Sequence, residues 1–387
     1  MAWVSRVRIL VNPNSAFIVI WLSLIFLFSL EILQINVAYS WSAITVICIN
    51  IILAGLMLVL SLGRRKRLDI SAVRSALYDK RFVIKRYVYL MFGVYAVISV
   101  FDVIYSGGVP LYWKLSGDSR QYVDFGIPTL HGIANSIIYF LSALCVLLAY
   151  LKIARSPWLL LMIFIWQFLI LSRGTIMVMV VQMLSVYLIM SRPALKRTLI
   201  LVAFVFATII FFGVAGDIRQ GQNPYYGLLN DEWYSFFEAI PSGFLWIYVY
   251  LVSGFNNFLF NAELIEPSYF PVYTFAKLVP SVVYNMLGIE KAVDSFQFVN
   301  AGLNVSTIYS GFYSDFGLFA FFPVFIIQAI ASVAYGRAQG GSIYDLLAFS
   351  VCYQAVVFSP FIDTFFYLPF IFQFFIIWHF KRVVTKC

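Results

Sequence analysis

The chain has 387 residues, 63% of them hydrophobic and 19% aromatic, with only 11% charged and a mean hydropathy of +0.92. Soluble domains are about half apolar and a quarter charged, so this composition excludes a water-soluble domain. The net charge of +9 does not read as a nucleic-acid-binding surface either. The lysines and arginines form short clusters between long apolar runs, the pattern that orients a chain in a bilayer.

Crossing a hydrocarbon layer of ~30 Å takes about 20 helical residues, and apolar runs of that kind follow one another along the chain. The first, 16–34, comes after Arg6 and Arg8. It is longer than a signal-peptide core and no small-residue cleavage site follows, so it is expected to be retained as a span. A second run covers 41–62. Next comes a loop, 63–86, that carries nine basic residues between Arg64 and Arg86 and is cytoplasmic by the positive-inside rule. Spans are then expected at 87–105 and 129–151 around an outer loop, 106–128. A shorter run from Pro157 to Leu171 follows, then runs at 175–191 and 198–215. The last three, 316–335, 343–361 and 364–380, lie beyond a long outer segment, 216–307. Threaded this way, 20 of the 26 lysines and arginines fall on the inner side.

Within 216–307, Ile240 to Phe260 is apolar enough to span, yet Asn261, Glu263 and Glu266 follow it with no positive charge to anchor a cytoplasmic landing. A lone crossing there would also put the basic C-terminus outside. A re-entrant or interface-lying helix is therefore expected, with a paired crossing through a second helix near 270–288 as the alternative. The whole reads as an all-α polytopic membrane protein: a single integral membrane domain over 1–387 with about ten transmembrane helices, ten to twelve, and a large outer segment. No internal repeat of the inverted-transporter kind appears. Cys48, Cys145 and Cys352 lie inside apolar runs and Cys387 ends the chain, which gives neither a disulfide framework nor a metal-ligand spacing.

Arg173 is the only charge between Pro157 and Met190. Basic residues flank that stretch on both sides, so the chain must turn at Ser172-Arg173-Gly174 and return. Fifteen residues of helix rise only ~22 Å, which sets the turn below the outer surface and Arg173 at the floor of an outward-open cavity. An arginine at such depth is functional by default and usually meets an anion; the alternative is snorkelling to the headgroups. Arg219 follows Gly213, Gly216 and Asp217, where glycines let backbone approach a ligand. The planar guanidinium fork binds two phosphate oxygens at once, whereas an ion pair with Asp217 or a plain interfacial arginine is the bland alternative.

Lys114, Asp118, Arg120, Asp124 and His131 cluster in and just after the loop 106–128. His131 is a candidate base, although a lone histidine at a span end is more often a structural hydrogen-bonding residue. Asp315 and Glu263 add carboxylates to the same outer compartment and Asn256-Asn257 add amides, of the kind that bind sugar hydroxyls or take a proton. Tyr250, with Trp233, Tyr234, Trp246 and Tyr248, offers rings that stack on sugars or form an aromatic belt at the membrane surface. The sequence carries no phosphate-binding glycine loop, paired metal-ligand motif or serine nucleophile elbow.

Several short stretches occur in a telling order. Gly107-Gly108-Val109-Pro110 starts an outer loop, Phe125-Gly126-Ile127-Pro128-Thr129-Leu130-His131-Gly132 ends it, and Ser172-Arg173-Gly174 opens a span. Arg219 follows the next span, and Tyr248-Val249-Tyr250-Leu251, Asn256-Asn257 and Asp315-Phe316-Gly317 come after it. In this order, over about 105–320, they resemble the Wzy family of bacterial O-antigen and oligosaccharide repeat-unit polymerases. The resemblance implies a multi-pass protein of the bacterial inner membrane, active at the periplasmic face. It would join undecaprenyl-pyrophosphate-linked oligosaccharide units by a metal-independent, cofactor-free inverting transfer. Arginines that hold the lipid-linked pyrophosphate are matched by Arg173 and Arg219. Asp217, Asp315, Glu263 or His131 would take the proton, and Arg120, Tyr250, Asn257 and Glu263 would face substrate. The implied partners are the lipid-linked oligosaccharide, membrane lipid, and a chain-length regulator and flippase of the same pathway. The similar O-antigen ligases carry a histidine in their large late outer loop, and 216–307 contains none. A flippase of the lipid-linked unit is the remaining reading, and it should place charges in the middle of several spans.

Overall fold

Backbone polar groups find no partners in hydrocarbon, so a chain this apolar must satisfy them within its own helices. A computed structural model describes residues 11–62, 70–154, 157–191, 195–220, 223, 225–290, 296–300, 302–340 and 342–386. Arg6, Arg8 and the front of the basic loop lie outside these residues. Among the described residues the structure is helical, and extended pairing is limited to one isolated bridge, Leu33 with Leu229.

The elements in chain order are α1 (Pro13–Ser29), α2 (Trp41–Leu62), α3 (Ile70–Tyr78), α4 (Arg81–Ser106), α5 (Pro110–Ser116) and α6 (Leu130–Tyr150). They continue with α7 (Pro157–Leu169), α8 (Arg173–Met190), α9 (Leu195–Gln220), α10 (Asp231–Glu238), α11 (Ser242–Ala262) and α12 (Val272–Leu278). The last are α13 (Ser281–Leu287), α14 (Tyr309–Phe316), α15 (Phe321–Ala338), α16 (Ile343–Phe358) and α17 (Leu368–Lys386). Every apolar run expected from the sequence falls on a helix. Six helices among the described residues are long and apolar enough to cross a membrane, while α1, α7 and α16 are shorter apolar helices. The protein is a helical membrane protein.

Packing forms two apolar cores. One gathers α4, α6, α8, α16 and α17 around Ile138, Leu144, Met179, Val186 and Phe349. The other gathers α1, α2, α11, α14 and α15 around Trp21, Trp246, Phe255, Phe258 and Phe312. Helix α16 joins them, with Phe349 in the first and Cys352 and Val356 in the second.

Helix α11 has the length of a span, yet all its polar contacts meet one end of the bundle. Ser242 and Trp246 bond Asp217, one turn before the end of α9. Gly254 lies against the Pro360 carbonyl, just past α16. The Ala262 carbonyl is reached by the Ser42 hydroxyl at the start of α2. Each contact lies at the end away from the clustered basic residues, called the distal end below. A helix that is apolar all round belongs in a core, and Trp246 and Tyr248 are accordingly buried rather than forming a belt against lipid. The second helix expected near 270–288 breaks at Val279-Pro280 into α12 and α13, seven residues each and too short to cross.

Irregular backbone inside a membrane protein must be covered and hydrogen-bonded by protein, and α11 does this with three asparagines. Asn256 donates to the Ile35 carbonyl at 2.9 Å and accepts from the Val37 N–H at 2.8 Å. Asn257 donates to the carbonyls of Leu303 and Val305 at 2.7 and 2.8 Å and accepts from the Val299 N–H at 2.9 Å. Asn261 donates to the Gln297 carbonyl at 2.6 Å and accepts from its N–H at 2.8 Å. Asn257, expected to face substrate, instead spends its amide on the chain's own backbone. Asn257→Leu should therefore strand one buried and two part-buried backbone groups and cost about 2–4 kcal/mol,. A thermal-unfolding shift with faster proteolysis within 296–305 would be the readout.

Candidate functional site

Helix α7 ends in a Schellman turn: the Ser172 N–H donates to the Gln167 carbonyl and the Leu171 N–H to the Phe168 carbonyl, both at 3.0 Å,. Leu171 takes the left-handed position usually given to glycine, at φ 54°, and is held there by burial. With 13 residues in α7 and 18 in α8, the two arms rise about 20 and 27 Å. The α7 arm is thus well short of the ~30 Å hydrocarbon thickness, while α8 comes close to it.

Arg173 is the first residue of α8, and its side chain runs into the junction of α9 and α11. It is 5% exposed. The guanidinium carbon lies 4.3 Å from the ring centre of Trp246, 4.7 Å from Phe212 and 5.8 Å from Tyr250. Its nitrogens donate to the Phe212 carbonyl and the Tyr250 hydroxyl at 3.4 Å, long for such bonds. A desolvated guanidinium on an aromatic face is stabilised by about 2 kcal/mol. The same Trp246 indole donates its Nε1–H to Asp217 at 2.7 Å, and Asp217 also accepts from the Ser242 hydroxyl at 2.5 Å. Three sequence candidates, Arg173, Asp217 and Tyr250, thus meet around one indole. Arg219 sits on α9 one turn beyond Gly216, but its side chain lies outside the described residues.

Three glycines make this junction possible. A Cβ on Gly213 would lie 2.3 Å from the Gly243 nitrogen, one on Gly243 2.0 Å from the Ile209 carbonyl oxygen, and one on Gly216 2.3 Å from Arg173 Nη1. Gly213 and Gly216 are expected from the sequence to let backbone approach a ligand. They instead let two helices and an arginine approach, the use that small residues have at membrane helix crossings.

Beside Arg173 an open apolar groove of about 410 Å³ runs between α7, α8 and α9, lined by Phe164, Phe168, Ile176, Ala207, Thr208 and Phe211. Ile176 lies one turn after Arg173 and Phe211 adjoins Phe212. Arg173 itself contacts Phe212 on the α11 side of α9 and is not part of the groove lining.

A second polar cluster closes the distal ends of α4 and α6. Asp102 is 1% exposed; one carboxylate oxygen accepts from the Ile127 N–H at 2.9 Å and the other lies 2.8 Å from His131 Nδ1. Gly126, at φ 95°, lays its backbone on the imidazole, where a Cβ would come within 2.7 Å. Its N–H donates to the Ser106 hydroxyl at 2.8 Å. Arg120, a candidate substrate contact, binds Asp118 at 3.0 and 2.5 Å, donates to the Ser106 carbonyl at 2.6 Å and stacks on Trp113 at 4.5 Å. Those hydrogen bonds hold the part-exposed Asp118 carboxyl below the usual range,. Arg120 is thereby committed to closing the end of α4.

The remaining carboxylates are engaged elsewhere or stand apart. Asp315 is fully buried and accepts from the Tyr273 and Thr274 N–H groups at 2.9 and 2.8 Å and from the Thr274 hydroxyl at 2.5 Å. That is a cap on the start of α12, and it makes Asp315 an anchor rather than a base. Glu263 follows α11 as an exposed residue. A pair that the sequence reading did not single out is Lys277, at the other end of α12, with Asp363 between α16 and α17. Their charged atoms lie 3.8 Å apart, with side chains 36% and 3% exposed. Burial pushes the Asp363 carboxyl up, and Lys277 opposes this. Lys277→Met removes that opposition, so the carboxyl should rise further. Its cost applies above the raised value and fades as pH falls through it. The variant should lose about 1–2 kcal/mol of stability at pH 8, less than a fully buried pair because the ammonium is part-solvated. Near pH 4, thermal melts of variant and wild type should converge.

No family model, curated protein or solved structure matches this chain.

Proposed function

We propose that this protein is a polymerase of lipid-linked oligosaccharide units. It works at the periplasmic face of a bacterial inner membrane, with ten spans and with α11 lying along the periplasmic end. The observation that carries the reading is the buried Arg173 guanidinium at the junction of α8, α9 and α11, with an apolar groove between α7, α8 and α9 lined by Ile176, one turn along α8 from it. A polyprenyl pyrophosphate sugar needs this combination: a cation for its diphosphate at a depth the headgroup can reach, and an open apolar path for a tail that stays in lipid.

In this reading the growing chain is the donor. A hydroxyl of the incoming unit attacks the anomeric carbon, and the bond to the pyrophosphate breaks with its electron pair left on the phosphate oxygen. Charge grows on that leaving group, and a guanidinium aimed at it lowers the barrier electrostatically. Arg173 supplies this from the buried turn, and Arg219 is assigned the second phosphate contact from the distal end of α9. Asp217 acts through Trp246, which it holds by the indole N–H under the guanidinium; it is a positioning residue. The Tyr250 hydroxyl, 3.4 Å from Arg173, is a donor for a phosphate oxygen.

Deletion of the gene separates the related activities. Lipopolysaccharide carrying one repeat unit on complete core is the expected result. Polymer left on the lipid carrier with none on core means a ligase, and single units stranded on the inner leaflet mean a flippase; either would overturn the reading.

A further inference from the structure

We infer that His131 is the group that takes the proton from the attacking sugar hydroxyl, with Asp102 as the residue that positions it; this rests on the polymerase reading above. Asp102 is buried and fixed by the Ile127 N–H through one oxygen, with the other 2.8 Å from His131 Nδ1. A carboxylate accepts there, so in the neutral ring the proton sits on Nδ1 and Nε2 presents its lone pair. Gly126 covers the Cγ–Nδ1 edge of the ring and Phe125 meets it edge-on at 5.6 Å. The His131 side chain remains 26% exposed.

The dyad stands above Arg173. Helices α6 and α8 touch at Tyr139 and Thr175, whose hydroxyls are 3.5 Å apart. His131 precedes Tyr139 by eight residues and Arg173 precedes Thr175 by two, so His131 lies roughly 9 Å nearer the distal end. That offset, counted along the helix axes alone, is of the order of one sugar ring. The two levels are continuous: Ile170, in the turn before Arg173, packs with Trp113 and Phe125, and Phe125 is the ring that meets His131.

The other candidate bases are engaged or apart. Asp217 binds Trp246 and Ser242, Asp315 caps α12 and Asp363 pairs with Lys277. Asp118 holds Arg120, Asp124 accepts from the Gln121 N–H, and Glu263 is exposed past the end of α11. In the step itself, Nε2 gains the hydroxyl proton as the oxygen bonds to the anomeric carbon and the bond to pyrophosphate breaks. Asp102 stabilises the imidazolium, which then yields its proton to the released pyrophosphate or to water.

The chain has two histidines, and His379 bonds the Tyr87 hydroxyl at 3.1 Å, so 15N-histidine labelling with His379→Gln as the assignment control isolates His131. In the wild-type protein at alkaline pH, Nδ1 should carry the proton and Nε2 none. Asp102→Asn should mix the tautomers and cut chain growth about 10- to 100-fold, and His131→Gln should cut it about 100- to 10,000-fold at normal membrane abundance, the range of a general base. A wild-type His131 protonated on Nε2 overturns the inference. So does His131→Gln with unaltered chains in a strain where gene deletion leaves single units. Unaltered chains in the deletion strain itself overturn the polymerase reading and this inference together.

Discussion

Arg173→Met is expected to slow chain growth by about 30- to 150-fold while protein abundance in the membrane stays close to normal. Methionine fills the volume of the arginine stem, so the apolar packing at the junction of α8, α9 and α11 is kept. What is lost is a charge-assisted contact worth about 2–3 kcal/mol in the transition state. Arg173→Lys keeps the charge but loses the planar fork and its stacking on Trp246, 4.3 Å away, so intermediate activity is expected. Polymer length on lipopolysaccharide, read beside immunoblots of membrane fractions, checks both. A snorkelling arginine would tolerate lysine fully, and a purely structural one would lower abundance in both variants.

The helices were legible in the sequence because apolar runs bounded by basic clusters have one solution in a bilayer. The turn at Arg173 was legible for the same reason: basic residues flank the stretch 157–190 on both sides, so the chain has to turn within it. Partners were not. Asp102 sits at the end of an apolar run with nothing local to mark it, and it meets His131 only because Gly126 folds the loop back at φ 95°. The asparagines of α11 read as substrate ligands because sugar hydroxyls and backbone amides ask for the same donors and acceptors. Only the fold shows that 34–37 and 297–305 needed them first. The glycines of α9 were noticed as places of close approach, but what approaches is α11 and Arg173.

Gly243→Ala should be the most destructive added methyl among the described glycines. The new Cβ would lie 2.0 Å from the Ile209 carbonyl oxygen. Neither helix can yield locally, because the obstacle is backbone and α11 is held along its length by Asp217, Asn256 and Asn257. Overpacking of this kind costs about 3 kcal/mol or more, enough to remove most of the folded protein. Gly216→Ala is the informative contrast. Its Cβ would meet the tip of Arg173 at 2.3 Å and the Trp246 indole at 2.5 Å, so the flexible arginine is displaced rather than the backbone. Abundance should fall less than for Gly243→Ala, while chain growth should fall as far as in Arg173→Met. Equal abundance and equal activity for the two alanine variants would mean that the α9–α11 crossing does not organise the site.

The central claim is that one chain joins lipid-linked units by itself, with Arg173 at the pyrophosphate. Its most direct test is the purified protein in lipid nanodiscs with a single undecaprenyl-pyrophosphate-linked repeat unit and no lipid A core. The account predicts a ladder of lipid-linked multiples with release of one undecaprenyl pyrophosphate per joining event, lost in Arg173→Met. A substrate that stays a single unit, with transfer appearing only when lipid A core is added, would contradict it.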